Sequence, residues 1–132
     1  MPGEAHGEAL VLGEPLSFWG GLDAATGEII DVRHPQRGSS VAGRILVMPA
    51  GRGSSSSSSV LAEAIRTGTA PAAIVLAEPD RILALGAIVA RELFGTSIPI
   101  VVVAEPGLAT GDLVMVRADE TEVELLREQA TM

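Results

Sequence analysis

The stretch GRILVMPAGRGSSSSSSVLAEAIRTG, residues 43–68, decides the fold class of this chain. Its apolar run ILVM, residues 45–48, predicts a buried strand that ends at Pro49, because proline cannot donate a backbone hydrogen bond to a neighbouring strand. After six consecutive serines, apolar side chains recur at helical spacing over residues 60–65, and Gly68 supplies a stop signal. The stretch therefore predicts a strand, a glycine- and serine-rich loop and a helix.

The same succession of strand and helix continues along the chain. A buried strand is predicted in AAIVLAE, residues 72–78, a helix in RILALGAIVARELFG, residues 81–95, and a further strand in IPIVVVA, residues 98–104. Strands that alternate with single helices form right-handed crossovers, which place the strands parallel in one sheet. We therefore expect a parallel βαβ core.

Both ends of the chain are β-rich. Short strands are predicted in EALVLGE, LSFWGG and GEIIDVR, residues 8–14, 16–21 and 27–33, and a hairpin is predicted in residues 111–126. Added to the parallel core, these strands indicate the α/β class, with β/β/α layers in which additional strands flank the βαβ unit.

The composition fits one globular domain. Hydrophobic residues make up 47% and charged residues 20% of the 132 residues, which excludes a wholly disordered or fibrous chain. A chain of this length buries enough surface for a single core. We expect one domain over residues 1–132, with frayed ends at residues 1–7 and 127–132.

Charge and cysteine content exclude several classes of partner. The formal net charge is -8 and all nine positive charges belong to arginine, so most of the surface repels phosphate backbones and anionic membranes. The absence of cysteine excludes a disulfide scaffold and a self-contained thiolate metal site, and it fits a reducing compartment. The sequence starts with no basic segment followed by an apolar one and has no apolar run of ~20 residues. We expect a cytoplasmic protein that binds neither nucleic acid nor membrane.

Three interpretations of the serine run, Ser54–Ser59, are open from the residues alone. Serine-rich segments serve as flexible spacers, and a single serine is enough to cap a helix N-terminus. Neither role explains Gly51 and Gly53, which let the backbone approach a ligand or adopt a positive φ. The third interpretation is an anion site, in which the helix N-terminus, the hydroxyls and Arg52 bind a carboxylate or phosphate.

Two longer stretches carry a resemblance to a known family. EPLSFWGGLDAATGEIIDVRHPQRG, residues 14–38, and VAGRILVMPAGRGSSSSSSVLAEAIRTGTAPAAIV, residues 41–75, closely resemble the small subunit, or swivel domain, of the aconitase X family, and the resemblance runs from about Gly7 to Leu126. It implies a swivelling β/β/α domain that closes over the active site of a larger partner. It also implies hydro-lyase activity, with an iron-sulfur cluster or iron held by cysteines of the large subunit and no metal on this chain.

For single residues, the resemblance points to the serine run. Aconitase-like swivel domains carry a Gly-Ser-Ser-Arg stretch whose first serine is the base, and Gly53, Ser54 and Ser55 occupy that place here. Ser54 is thus the candidate catalytic base, while Ser55 is assigned to a substrate carboxylate. Ser56 stands where the stretch has arginine, and Arg52 would supply the cation from the other side. Arg52, Gly53, Ser55 and Ser56 are therefore candidate substrate-binding residues, and the register of the base within the run stays open.

Three residues outside the run are also candidates. His34 precedes a proline in a loop, where histidine usually packs or lies on the surface, but the resemblance places a His-Pro pair near the cleft. We assign His34 to substrate contact or to a domain interface. Phe18 and Trp19 lie beside two glycines in an aromatic-poor chain, so they either belong to the core or anchor a partner subunit.

The resemblance thus implies a small subunit that acts only with an aconitase X large subunit and removes water from a hydroxy acid. The favoured substrate is cis-3-hydroxy-L-proline, and phosphomevalonate is the alternative within the same class. The alternative of another class is a non-catalytic module that binds an anion in the serine run.

Overall fold

The computed structural model describes residues 3–51, 56–118 and 123–128. In this part of the chain, six strands form one mixed sheet, joined by two long helices and a short helical turn. The strands are β1 Gly3–Val11, β2 Ile45–Met48, β3 Ala73–Leu76, β4 Ile100–Val102, β5 Leu113–Ala118 and β6 Val123–Glu128. The helices are α1 Phe18–Gly21, α2 Ser57–Thr67 and α3 Arg81–Phe94.

The sheet has the strand order β4-β3-β2-β1-β5-β6. Strands β1 to β4 are parallel, with Val47 opposite Val75 and Val75 opposite Val101, whereas β5 and β6 are antiparallel additions. β1 joins the two halves, because residues 9–11 pair with β2 and residues 3–8 pair with β5. The predicted parallel βαβ core with additional flanking strands is confirmed.

Apolar clusters lie on both faces of the parallel strands, as alternation along a strand requires. On β2, Leu46 belongs to the cluster that contains Leu61 of α2 and Leu83 of α3. Its neighbour Val47 belongs to the second cluster, which contains Val114 of β5. The helices therefore cover one face of the parallel strands and the antiparallel strands pack against the other, which is the predicted β/β/α layering.

Two glycines fix the position of α2. Gly68, at φ 81°, ends the helix in the left-handed conformation that side chains disfavour. On α3, a Cβ at Gly86 would lie 2.7 Å from the backbone oxygen of Ser58, so the glycine lets α3 approach the first turn of α2. Gly86 therefore lets α3 pack against the first turn of α2, and Gly68 sets where α2 ends.

Two strands predicted in the first third of the chain are wrong. Residues 16–21 contain the helical turn α1, and the chain kinks there because Gly20 adopts φ 78°. Residues 27–33 contribute isolated bridges instead of a strand. The Asp31 side chain accepts a hydrogen bond from the backbone N–H of Arg33 and turns the chain away from an extended course.

The prediction of frayed ends is wrong for part of each terminus. Residues 3–7 lie in β1 and pair with β5, and residues 127–128 lie in β6. Residues 1–2 and 129–132 lie outside the described part of the chain, as does the turn of the predicted hairpin at residues 119–122. None of the described helices is long and apolar enough to cross a membrane.

Candidate functional site

The predicted site lies at the edge of the sheet where the four parallel strands have their carboxyl ends. We call residues 49–56, which connect β2 to α2, the serine loop. The structure describes its two ends, Pro49–Gly51 and Ser56. The predicted base Ser54 and the predicted substrate-binding residues Arg52, Gly53 and Ser55 lie outside the described residues, so these roles stay predictions.

Gly51 is the last described residue before the undescribed part of the loop, and it is held from two sides. It forms a parallel bridge with Leu16, which lies in the loop after β1. A Cβ at Gly51 would overlap Oδ2 of Asp80, and it would also touch Leu83. The close approach of the Asp80 carboxylate therefore explains why position 51 is glycine, whereas the sequence suggested the approach of a ligand.

Asp80 is a site residue that the sequence analysis did not identify. Its Oδ1 accepts hydrogen bonds from the backbone N–H groups of Ile82 at 2.9 Å and Leu83 at 3.0 Å, which caps α3. The other carboxylate oxygen faces Gly51. One side chain thus joins the start of α3 to the start of the serine loop, and its position directly before a helical pattern was the signal that could have identified it.

We expect Asp80→Ala to lower the free energy of unfolding by about 1 kcal/mol, because two N–H groups of α3 lose their acceptor. Asp80→Asn should lower the free energy of unfolding much less, since asparagine caps helices about as well as aspartate. Urea unfolding of the two variants beside the wild type measures the difference. Equal stability of Asp80→Ala and the wild type would contradict the capping role.

The described serines at the start of α2 differ in their surroundings. Ser56 holds the N-cap position with an exposed side chain that makes no capping hydrogen bond. Ser57 is buried, and its Oγ accepts a hydrogen bond from the backbone N–H of Trp19 at 3.2 Å. The Ser57 hydroxyl therefore joins α2 to the segment that carries Trp19, and this buried structural role argues against Ser57 as the base. The predicted role of Ser56 in substrate binding stays a prediction.

His34 is buried and supports the loop after β1. Its Nε2 lies 3.2 Å from the carbonyl oxygen of Glu14, and its Nδ1 accepts a hydrogen bond from the backbone N–H of Gln36 at 3.1 Å. These partners assign the proton of a neutral ring to Nε2. His34 thereby fixes the loop that carries Leu16, which in turn meets Gly51. Its predicted contact with substrate stays a prediction.

The structure separates the two neighbouring aromatic residues. Phe18 is fully buried in the helix-side core, so its predicted place at a partner interface is wrong. Trp19, the next residue, is exposed. The backbone breaks from helical geometry at Trp19, which turns the two side chains in different directions. Of the pair, only Trp19 offers a side chain to another molecule.

An apolar cavity of about 280 Å³ opens at the same edge of the sheet. It is lined by Val11, Leu12, Val47, Met48, Pro49, Ala77, Ala104 and Pro106. Pro49 belongs to the serine loop, so the cavity adjoins the loop directly. Its lining is suited to a carbon skeleton, whereas the hydroxyls and N–H groups of the loop are suited to oxygen atoms.

No group of three or more His, Asp or Glu side chains in residues 3–51, 56–118 and 123–128 could hold a metal ion. On the exposed face of α2, a hydrogen bond from the Arg66 guanidinium lowers the pKa of the Glu63 carboxyl. That pair lies in the last two turns of α2, away from the serine loop.

Comparisons of the sequence and fold with known proteins place this chain in a family. A family model described as the aconitase X swivel domain matches residues 1–125. A cis-3-hydroxy-L-proline dehydratase of Pseudomonas aeruginosa is 57% identical over 105 residues, which are 80% of this chain and 18% of that protein. A phosphomevalonate dehydratase small subunit of Thermococcus gammatolerans is 43% identical over 125 residues, which are 94% of this chain and 91% of that protein.

A solved structure agrees with the sequence matches. The crystal structure of aconitase X from Thermococcus kodakaraensis, in its holo-form, superimposes with a TM-score of 0.83 at 43% identity, covering 95% of this chain and 92% of that chain. The chain spans less than a fifth of the length of cis-3-hydroxy-L-proline dehydratases that it matches from Pseudomonas aeruginosa and Hypocrea jecorina. By the family model, the identities and the shared fold, the chain belongs to the aconitase X swivel-domain family.

Proposed function

We propose that this chain is the small, swivel-domain subunit of an aconitase X-type hydro-lyase, which dehydrates a hydroxy acid together with a large subunit. The observation that carries the proposal is the position of the serine loop. Its described ends, Gly51 and Ser56, lie at the carboxyl edge of the parallel sheet, beside an apolar cavity, in a chain of the aconitase X family.

In the proposed reaction, Ser54 is the base. Dehydration breaks a C–H and a C–O bond, forms a C=C bond and releases water, so one group must accept the proton next to the carboxylate. A serine accepts that proton only where its alkoxide is stabilised. The partial positive charge at the N-terminus of the 11-residue helix α2, together with Arg52, would stabilise it.

The remaining groups of the loop would bind the substrate. Ser55, Ser56 and the backbone at Gly53 would donate hydrogen bonds to a carboxylate, because hydroxyls and free N–H groups near a helix N-terminus favour anions. The adjoining apolar cavity would hold the carbon skeleton. His34 would support the site without touching the substrate, because it fixes the loop after β1 whose Leu16 pairs with Gly51.

An iron-sulfur cluster or iron is expected on the large subunit. This chain has no cysteine to supply thiolate ligands, and its described residues bring no three ligating side chains together. The described residues therefore do not fit such a group, and the proton transfer proposed for Ser54 needs none on this chain. A cysteine-free chain with this partner would work in the reducing cytoplasm.

Cis-3-hydroxy-L-proline is the proposed substrate. The Pseudomonas aeruginosa dehydratase of that name is 57% identical to this chain, against 43% for the Thermococcus gammatolerans small subunit. One observation favours phosphomevalonate instead: several phosphomevalonate dehydratase small subunits match over 86% to 92% of their length. The two substrates differ enough for one assay to separate them.

The test is a dehydration assay with the large subunit of the same organism, produced together with this chain and purified without oxygen. We expect the complex to dehydrate cis-3-hydroxy-L-proline faster than phosphomevalonate, with no turnover by either subunit alone, as followed by proton NMR. Faster turnover of phosphomevalonate would show that phosphomevalonate, and not cis-3-hydroxy-L-proline, is the substrate. A complex that is inactive on both, while this chain alone binds carboxylates or phosphate, would favour the non-catalytic anion-binding module.

A further inference from the structure

Three apolar side chains lie exposed on two neighbouring segments of the chain, one of which is hydrogen-bonded to the first residue of α2. Trp19, Ile30 and Val32 are 59%, 41% and 73% exposed. The backbone N–H of Ile30 donates to the carbonyl oxygen of Gly21 at 2.9 Å, so the segments that carry these side chains run next to each other. We call Trp19, Ile30 and Val32 the tryptophan patch. The charged residues on either side of Val32, at positions 31 and 33, give it a polar rim.

The backbone at Trp19 is fixed although its side chain faces solvent. Its N–H donates to Oγ of Ser57 at 3.2 Å, and its carbonyl oxygen accepts from Oγ of Ser17 at 3.1 Å. The preceding residue, Phe18, is buried in the core. An aromatic side chain on a pre-organised backbone loses little conformational entropy when a partner covers it, which is typical of residues that dominate binding energy.

We infer that the tryptophan patch is the surface by which this chain docks onto the aconitase X large subunit. The inference rests on the proposed function and adds to it the place of contact. Trp19 is hydrogen-bonded to Ser57, the first residue of α2 after the serine loop. A large subunit that covers the patch would therefore also lie beside the loop whose hydroxyls must reach the substrate.

The comparisons favour this occupant over an unrelated protein. The family's fold occurs as a nearly complete chain in proteins named small subunits, and as less than a fifth of longer dehydratases. The same domain therefore works both as a separate chain and inside a longer one, so it must carry a surface for the remainder of the enzyme. Exposed tryptophan beside exposed aliphatic side chains is the composition that such interfaces favour at their centre.

The test compares two double variants that each remove two exposed apolar side chains. Trp19→Ser/Val32→Ser alters the patch, and Leu85→Ser/Leu93→Ser alters α3, where the two leucines are 51% and 70% exposed. Binding of each chain to the isolated large subunit is measured by calorimetry without oxygen, after circular dichroism has shown that both variants fold. We expect the patch variant to bind about 30-fold more weakly or worse, and the α3 variant to bind like the wild type.

The outcomes separate this inference from the proposed function. If the wild-type chain does not bind the large subunit, the proposed function itself fails. If the wild type binds and the patch variant binds as tightly, or if the α3 variant is weakened equally, the docking surface is wrong. If the patch variant changes only the self-association of this chain, seen by light scattering, the patch serves a second copy and the inference is overturned.

Discussion

Replacing Ser54 with alanine is expected to lower the turnover of the assembled enzyme about 10²- to 10⁴-fold, because general-base catalysis contributes that much. Affinity for the large subunit and stability should stay unchanged, since the substitution removes one hydroxyl from a loop whose ends are held elsewhere, at Gly51 and at the first turn of α2. Single-turnover rates with saturating substrate measure the chemical step directly.

Ser59→Ala is the matched control for Ser54→Ala. Ser59 belongs to the same run of six serines, but it lies inside α2 with an exposed side chain, so its loss should leave turnover unchanged. Full activity of Ser54→Ala would show that Ser54 is not the base. Loss of the chemical step at saturating substrate in Ser55→Ala would then indicate a shift of register by one residue, with the base on this chain. A raised KM with an unchanged rate at saturation would instead place the base on the large subunit.

The parallel core could be predicted from sequence because its signals are local. In residues 43–68 the hydrophobic period changes from a continuous apolar run to helical spacing across a break of glycine and serine, and the structure has β2, the serine loop and α2 there. The helix α3 was also predicted from local residues, namely its helical spacing of apolar side chains and the stop signal Gly95, which adopts the left-handed conformation after the helix. Each of these elements follows from residues that are neighbours in sequence.

The frame around the site could not be predicted, because it depends on contacts between distant residues. The carboxylate of Asp80 occupies the space at Gly51, and the backbone of Trp19 is bonded to Ser57, 38 residues away. His34 was predicted to contact substrate or a domain interface, yet its Nε2 lies against the carbonyl oxygen of Glu14, 20 residues earlier. Only the folded chain brings these groups together.

The opposite surroundings of Phe18 and Trp19 predict opposite effects on stability. Phe18→Ala should lower the free energy of unfolding by about 3–5 kcal/mol, because a fully buried phenyl ring is lost and a cavity is left among aliphatic side chains. Trp19→Ala should change it by no more than about 0.5 kcal/mol, since its side chain faces solvent and its backbone hydrogen bonds are kept.

Urea unfolding followed by far-ultraviolet circular dichroism is the suitable measurement, because Trp19 is the only tryptophan and its loss would remove the fluorescence signal. Phe18→Leu, which keeps most of the buried volume, should fall between the wild type and Phe18→Ala. A loss below about 1 kcal/mol for Phe18→Ala would contradict its place in the core. The predicted role of Phe18 at a partner interface would then stand again, because a side chain that contributes little to the fold can contact a partner.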